Sequence, residues 1–245
     1  MELVALDLLA RAGEPIGSAR LMEALRRAGI MIAEATAGRF LRQLDDRGLT
    51  VSFNDKKGRV ITEAGRQHLA ELRLVQRRED HGARLREAAN VTDLAELIDL
   101  LYVRRAIEAE AARQAATRAT DDEIARLAAF AEAHVHRANT DHEIAGPSLD
   151  FHRMIAEASH SRMLLAVTLL VLDPANAPLA KRLETIARDA GATLDHVSDH
   201  LALTAALRAR DAAAAEAAMR DHLDKLIRAV ETHQAARRGD GPNGE

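Results

Sequence analysis

The stretch SLDFHRMIAEASH at residues 148–160 has the spacing of an amphipathic helix with a histidine beside its apolar side. The apolar residues recur at intervals of three and four: Phe151, Met154, Ile155 and Ala158. His152 adjoins this stripe, on a face that it shares with Ser148. An imidazole at the edge of a core needs a hydrogen-bond partner or a ligand. The stretch therefore predicts a packed helix and makes His152 a candidate functional residue.

The same helical period continues through the second half of the chain. It predicts helices at about 92–118, 120–139, 142–159, 161–171, 174–190, 194–209 and 211–236. Six to seven helices over this length predict an all-α bundle at residues 92–236. We expect a linker at residues 76–91, which are charged and interrupted by Gly82 and form either a coil or a continued helix. The polar, glycine-rich residues 237–245 are expected to be a disordered tail.

Composition limits the cellular setting. The chain has no cysteine, which excludes disulfides and thiolate metal sites and fits a reducing cytoplasm. No apolar run reaches the length of a membrane span, and no signal peptide is recognised, so we expect a cytoplasmic protein without a membrane partner. Residues 1–80 hold 14 lysines and arginines against 12 acids, whereas residues 81–245 hold 20 against 26. This asymmetry suggests two different binding tasks.

Residues 1–75 have the pattern of a winged helix-turn-helix domain. Three helical segments, LVALDLLARAG, SARLMEALRRAG and EATAGRFLRQLDDRG, are followed by two β-like runs, LTVSF and RVIT, around the turn NDKKG. Ser18 is expected to cap the second helix. The overall prediction is a mainly α protein with three helices and a β-hairpin wing, then the helical bundle.

In a winged helix the third helix enters the DNA major groove and the wing meets the backbone. The polar side of the third helix and the wing supply the candidate DNA contacts: Thr36, Arg39, Arg42, Gln43, Lys56, Lys57 and Arg59. The alternative is that these are solvated charges on a winged helix that docks protein.

The N-terminal segment resembles a known winged helix. LLARAGEPIGSARLMEALRRAG, RFLRQLDDRGLT and GRVITEAGRQHLAEL together are similar to the domain at the start of nitrogen-repressor-type regulators and of ribonuclease R. The resemblance covers roughly residues 3–72.

The helical segment resembles the ligand-binding FCD domain of FadR-type regulators in the GntR superfamily. The similarity rests on LYVRRAIEAEAARQAA, SLDFHRMIAEASHSRML and DHLALTAALRARDAAAAEAAMRDHL, which span about residues 94–230. Those regulators normally carry another winged helix, with the pattern S.TPVR.AL..L...G, where this chain has EATAGRFLRQLDDRGL. Operator rules of that family therefore cannot be carried over.

In many FCD domains an aspartate and three histidines bind a divalent metal, and the resemblance places the histidines at His152, His200 and His222. The aspartate position holds Ser148, and Asp150 is turned to the opposite side of the helix. Three imidazoles suit a divalent ion, zinc or nickel first among them. Ser148 could then hydrogen-bond a bound water or the effector.

The alternatives are core histidines held by hydrogen bonds, or a metal-free effector pocket. His196 could replace the missing ligand, although a surface histidine is the preferred interpretation. His233 is expected to face solvent, and no motif supports the remaining histidines of this half: His134, His136, His142 and His160.

The resemblance implies that Arg104 anchors the carboxylate of a small organic acid, in a pocket with Ser148, His152, His200 and His222. The alternative is a simple helix pair between Arg104 and Glu108.

Together these features predict a homodimeric, ligand-responsive transcriptional regulator of operator DNA rather than an enzyme. Two other functions stay open: a metal-dependent enzyme that uses the three histidines, and a helical adaptor whose winged helix docks protein.

Overall fold

The computed structural model describes residues 1–52, 58–140, 145–173, 177–189 and 193–239. Within these helices, the description omits the side chains at 145–147, 177–180, 187, 193–197 and 238–239. Contacts divide the chain into unit 1, Met1–Leu85, and unit 2, Arg86–Glu245. The predicted fold class is confirmed: a winged helix-turn-helix precedes a helical bundle.

Unit 1 contains three helices, a two-stranded antiparallel sheet and most of a long fourth helix. Its elements are α1 (Glu2–Arg11), α2 (Ser18–Arg27), α3 (Glu34–Asp46), β1 (Thr50–Ser52), β2 (Arg59–Ile61) and α4 (Glu63–Ala89). In the hairpin, Val51 lies opposite Val60. The apolar sides of α1, α2 and α3 meet in a core that completely buries Leu6, Leu21, Leu25, Leu41 and Leu44. This packing leaves the polar side of α3 at the surface.

The predicted cap of α2 is wrong. Gly17 is the N-cap residue, and Ser18 Oγ donates a hydrogen bond to Glu34 Oε1 at 2.8 Å instead. A tertiary acceptor thus replaces the local capping bond that a serine at this point favours.

Unit 2 contains seven helices among its described residues. They are α5 (Leu94–Arg118), α6 (Asp121–Asn139), α7 (Ala145–Ala158), α8 (Arg162–Val171), α9 (Ala177–Asp189), α10 (Thr193–Arg208) and α11 (Ala212–Gly239). The most extensive packing joins α5 to α11, and α10 packs on both α6 and α11. On α5 the buried side is rich in small residues, which allow helices to approach closely: Ala109, Ala111, Ala112, Ala115 and Ala116. The seven helices agree with the predicted bundle.

The starts of two bundle helices are fixed by side chains. Asp93 accepts hydrogen bonds from the backbone of the first turn of α5, and Thr120 forms a reciprocal capping box with Glu123 at α6. Such caps satisfy backbone N–H groups that have no partner inside the helix. The registers of α5 and α6, and with them the faces that turn inward, are thereby set.

The segment expected to be a linker is helical, because α4 runs unbroken to Ala89. Its arginines, glutamates, leucines and alanines favour a helix, and Gly82 costs only about 1 kcal/mol in a helix interior. At the other end α11 continues through residues 237–239, which were expected to be disordered; residues 240–245 lie outside the described part of the chain. No helix in the described ranges has the length and apolar character needed to cross a bilayer.

Candidate functional site

Three histidines from three helices meet in the core of unit 2. His152 lies on α7, His200 on α10 and His222 on α11, and none is more than 3% exposed. One nitrogen from each ring lies within 4.8 Å of the other two. The ring centroids are 4.9 to 5.3 Å apart. The fold therefore brings together, as one cluster, the three residues that the family resemblance selects.

Two of these imidazoles have a carboxylate close to Nδ1. Glu108 Oε2 lies 2.6 Å from His152 Nδ1, and Asp199 Oδ2 lies 3.4 Å from His222 Nδ1. A carboxylate at one ring nitrogen fixes the ring orientation and the tautomer and makes the other nitrogen the ligand atom. Among the described residues, His152 Nε2 is buried and forms no hydrogen bond.

His200 is held by two aromatic neighbours. Its ring stacks on Phe151 with centroids 4.1 Å apart, and its Nδ1 lies 3.3 Å from Nδ1 of His134. His200 Nε2 is buried and has no hydrogen-bond partner in the described part of the chain. It is thus a second nitrogen to which an ion could supply the missing interaction.

Besides Asp199, His134 is a residue beside the cluster that sequence reasoning missed. No motif supports it, yet it is completely buried on α6. The available signal was its spacing, because Leu127, Ala131 and His134 recur at intervals of four and three and share the buried side of the helix.

A buried ion pair supports the cluster from α5. Glu108 Oε1 accepts a hydrogen bond from Arg104 Nε at 2.7 Å, and both side chains are buried. Burial alone would raise the pKa of Glu108, but the charge of Arg104 and the contact with His152 hold it at about 2. Glu108 is therefore an anion that binds Arg104 and His152 together. Of the two expectations for Arg104, the pair with Glu108 is present.

His200 provides a neutral donor nitrogen. Burial lowers the pKa of His200 well below its ordinary value, and the nearby His222, His152 and His134 lower it further. A neutral imidazole has the lone pair that a metal ion requires. Since a buried polar atom without a partner costs about 1–3 kcal/mol, an ion at this point would also remove that cost. The donor set fits a divalent ion such as zinc or nickel.

Three other residues were considered for this pocket: Ser148, Asp150 and His196. Ser148 is half-buried on α7, one turn before His152, and Asp150 is exposed. The side chain of His196 lies outside the described residues.

The other histidines among the described side chains of unit 2 do not belong to the cluster. His233 is half-buried, so the expectation that it faces solvent is only partly met. His136 and His160 are exposed, and His160 Nε2 lies 3.0 Å from Glu123 Oε2. His142 falls outside the described part of the chain.

In unit 1, α3 presents a polar surface. Arg39, Arg42 and Gln43 are exposed, whereas Thr36 is half-buried and its Oγ1 accepts a hydrogen bond from Arg39 Nη2 at 3.1 Å. This pattern leaves two guanidinium groups and one amide on the side of the helix that a winged helix turns to DNA.

The wing supports the expected contacts less fully. Lys56 and Lys57 lie outside the described residues. Arg59 lies on β2, and its Nε binds Asp45 Oδ2 at 2.9 Å in a partly buried pair. Asp45 also accepts a hydrogen bond from Thr50. The guanidinium of Arg59 thus joins the wing to α3, which differs from the phosphate contact expected of it.

Comparison with known families confirms both resemblances. Residues 99–225 match the FCD domain, and residues 3–69 match the ribonuclease R winged-helix domain. No curated protein matches the chain.

Several solved structures are similar over nearly the whole chain. E. coli McbR/YncC is 15% identical, with a TM-score of 0.50 over 95% of this chain and 96% of that one. Streptococcus agalactiae GntR is 17% identical, with a TM-score of 0.47 over 93% and 100%. A GntR family transcriptional regulator from Pseudomonas syringae pv. tomato str. DC3000 is 15% identical, with a TM-score of 0.47 over 96% and 85%. At this identity the likeness to McbR/YncC supports the fold alone.

Replacing Glu108 with glutamine should destabilise the metal-free protein strongly at neutral pH and less in acid. The pKa of Glu108 is about 2 in the folded protein, below that of an unfolded glutamate, so its contribution is complete above about pH 5 and is lost as the pH falls through 2. The difference in pKa corresponds to about 3 kcal/mol. The free energy of unfolding of both proteins is measured by urea denaturation in the presence of a chelator. Unfolding is followed by circular dichroism, at a series of pH values from 7 towards 3.

Glu110→Gln is the matched control. Glu110 lies on the same helix and its pKa is also about 2, because of hydrogen bonds from Arg113 and Gln114, but its side chain is partly exposed. Solvent screening should make its loss much less costly. Equal costs for the two variants, or a cost for Glu108→Gln that does not shrink in acid, would contradict the buried ion pair.

Proposed function

The chain belongs to the FCD-domain family of GntR-type transcriptional regulators, and from this premise we propose that it is a ligand-responsive regulator. Unit 1 binds operator DNA, and unit 2 binds a small organic acid beside a divalent ion, zinc or nickel. The observation that carries the proposal is the buried cluster of His152, His200 and His222. Polar rings are costly to bury unless they are bonded, so their convergence indicates a ligand.

The three histidines would hold the ion through Nε2, because each Nδ1 atom already has a neighbour. Nδ1 of His152 lies near Glu108, that of His200 near His134 and that of His222 near Asp199. When bound, the ion supplies a positive charge and open coordination positions for a carboxylate oxygen. Ser148 would hydrogen-bond a water or the organic acid from the next turn of α7. Apart from its bond to the ion, the organic acid would be bound by side chains of the protein.

The charges around the cluster favour an acid with two carboxylates. Glu108 is paired with Arg104, and Asp199 is paired with Lys225, so these four charges cancel. A divalent ion bound by neutral imidazoles would leave two positive charges in the core, which an anion must balance. Ser148 contributes no charge where the family resemblance places an aspartate. A dianion therefore suits this site better than a monoanion.

Arg104 is the residue placed to bind the second carboxylate. Its hydrogen bond to Glu108 uses Nε, and its two terminal nitrogens form a fork that matches a carboxylate. Glu108 would then hold the guanidinium of Arg104 in position while this guanidinium binds the acid.

The DNA-binding function is assigned to α3. Arg39, Arg42 and Gln43 would reach base edges and phosphates of the major groove, with Lys56 and Lys57 on the wing meeting the backbone. We propose that the protein acts as a cytoplasmic homodimer on a two-fold symmetric operator. Effector binding changes operator affinity to the extent that the acid prefers one conformation over the other.

An enzymatic role is less well supported by the site. Hydrolytic zinc enzymes need a carboxylate or similar base that is ready to accept a proton. Among the residues that the structure describes, the carboxylates that contact the cluster are Glu108 and Asp199. Burial would raise their pKa values, yet bonds to Arg104, His152, His222 and Lys225 lower them. Both are committed to holding other side chains.

Replacing His152, His200 or His222 by alanine should remove the bound ion, because each change deletes one donor of three. Elemental analysis of dialysed, untagged wild-type protein should find about one zinc or nickel per protomer, and each variant should retain a small fraction of it. The rise in Tm that added metal gives the wild type should also disappear, since a ligand of the native state stabilises by mass action. His136→Ala, at an exposed position on α6, is the control. Full metal content in all three variants would exclude the site.

Replacing Arg39 and Arg42 together by alanine should weaken DNA binding without affecting unit 2. The duplex to use is one that wild-type protein selects from a random-sequence library, with binding followed by fluorescence anisotropy. Loss of these contacts should raise Kd by at least about tenfold. Arg220→Ala, which removes an exposed arginine of unit 2, should leave Kd unchanged.

No selected duplex, or equal binding by the Arg39/Arg42 variant, would instead favour a winged helix that docks protein.

A further inference from the structure

His134 is a fourth buried histidine beside the cluster, and the family resemblance does not select it. It lies on α6, which packs against α10, the helix of His200. The two Nδ1 atoms are 3.3 Å apart, and the ring centroids are separated by 5.4 Å with an interplanar angle of 33°. The contact between His134 and His200 therefore joins α6 to α10 beside the His200 ring, which is one of the proposed metal ligands.

A hydrogen bond between two Nδ1 atoms needs one protonated nitrogen and one lone pair. If His200 were the acceptor, its proton would lie on Nε2, which could then not coordinate an ion. If His200 is the donor, its Nε2 keeps the lone pair. That Nε2 atom is buried, belongs to the cluster residue and has no hydrogen-bond partner among the described residues.

We propose that His134 is a positioning residue that accepts a hydrogen bond from Nδ1–H of His200. This bond fixes the tautomer and the ring orientation in which Nε2 of His200 faces His152 and His222. As a role toward the ion, the inference rests on the metal site proposed above; as an assignment of the tautomer, it can be tested without metal.

Two further contacts agree with this role. Phe151 stacks on the face of the His200 ring, so the ring plane is fixed while His134 fixes the rotation within that plane. Phe130 lies one turn before His134 on α6. Its ring is edge-on to the His134 ring, with 6.4 Å between the ring centroids. His134 thus does for His200 what Glu108 does for His152 and Asp199 for His222.

An imidazole suits this position better than a third carboxylate. Each carboxylate at the cluster has a cationic partner, Arg104 for Glu108 and Lys225 for Asp199. An acceptor without charge needs no such partner in the core. His134 would therefore orient His200 without adding a charge to the core.

The first test uses metal-free, full-length protein labelled with ¹⁵N at histidine. Long-range ¹H–¹⁵N spectra, assigned through the loss of one signal set in His200→Ala, distinguish the Nδ1–H from the Nε2–H tautomer. We expect His200 to be the Nδ1–H form in the wild type and to shift toward the Nε2–H form in His134→Leu. If His200 is in the Nε2–H form in the wild type, the inference is overturned, regardless of the spectrum of His134→Leu.

The second test measures Co²⁺ affinity by competition with a chromophoric chelator, together with the visible absorption of the bound ion. His134→Leu should weaken Co²⁺ binding by about 10- to 100-fold, as loss of a partner of a ligating histidine does. His134→Asn places Oδ1 near the position of the lost Nδ1 and should restore affinity to within about fivefold, whereas His134→Gln should not. His136→Leu, on the exposed side of α6, is the control.

Binding by His134→Leu that equals the wild type, or no rescue by His134→Asn, would overturn the positioning role. Wild-type protein that binds no Co²⁺ would refute the proposed metal site, and the tautomer of His200 would then decide the inference on its own.

Discussion

The carboxylate of Glu108 is the group on which the site in the helical unit depends. It is 1% exposed, and it contacts Arg104 on its own helix and His152 on α7. A buried anion persists only when cations and hydrogen bonds surround it, and removal of one partner from such a pair typically costs about 3–5 kcal/mol. Glu108 therefore links α5 to α7 and fixes the guanidinium of Arg104 and the ring of His152 at the same time.

The cluster is oriented by partners that do not lie in one segment of the chain. Glu108 comes from α5, His134 from α6 and Asp199 from α10, and each contacts the Nδ1 atom of a different histidine. In the proposed metal site the remaining nitrogens of the three rings would bind one ion, while the fixed charges around them cancel. An ion and a dicarboxylate would complete both the coordination and the charge balance, which is why the same pocket is proposed to sense an anion.

Periodicity and family resemblance predicted the helices, the winged helix and the three clustered histidines, because those depend on spacing along the chain. They did not predict the contact of His134 with His200, because that contact depends on the packing of α6 against α10. For Arg104 both alternatives were available from the sequence, and the 2.7 Å contact between Arg104 Nε and Glu108 Oε1 shows that the ion pair forms. Arg59 and Ser18 show the same limit in unit 1. Each has the expected location, but an acid from elsewhere in the chain, Asp45 or Glu34, binds its side chain. Local propensity cannot include a partner brought by the fold.

X-ray absorption spectroscopy of zinc-loaded, full-length protein tests the central claim most directly, because imidazole rings give a characteristic multiple-scattering pattern. We expect about three histidine nitrogens at about 2.0–2.1 Å, with oxygen from water or an added dicarboxylate in the remaining coordination positions. A shell made mainly of oxygen, or one with a single histidine, would contradict the account.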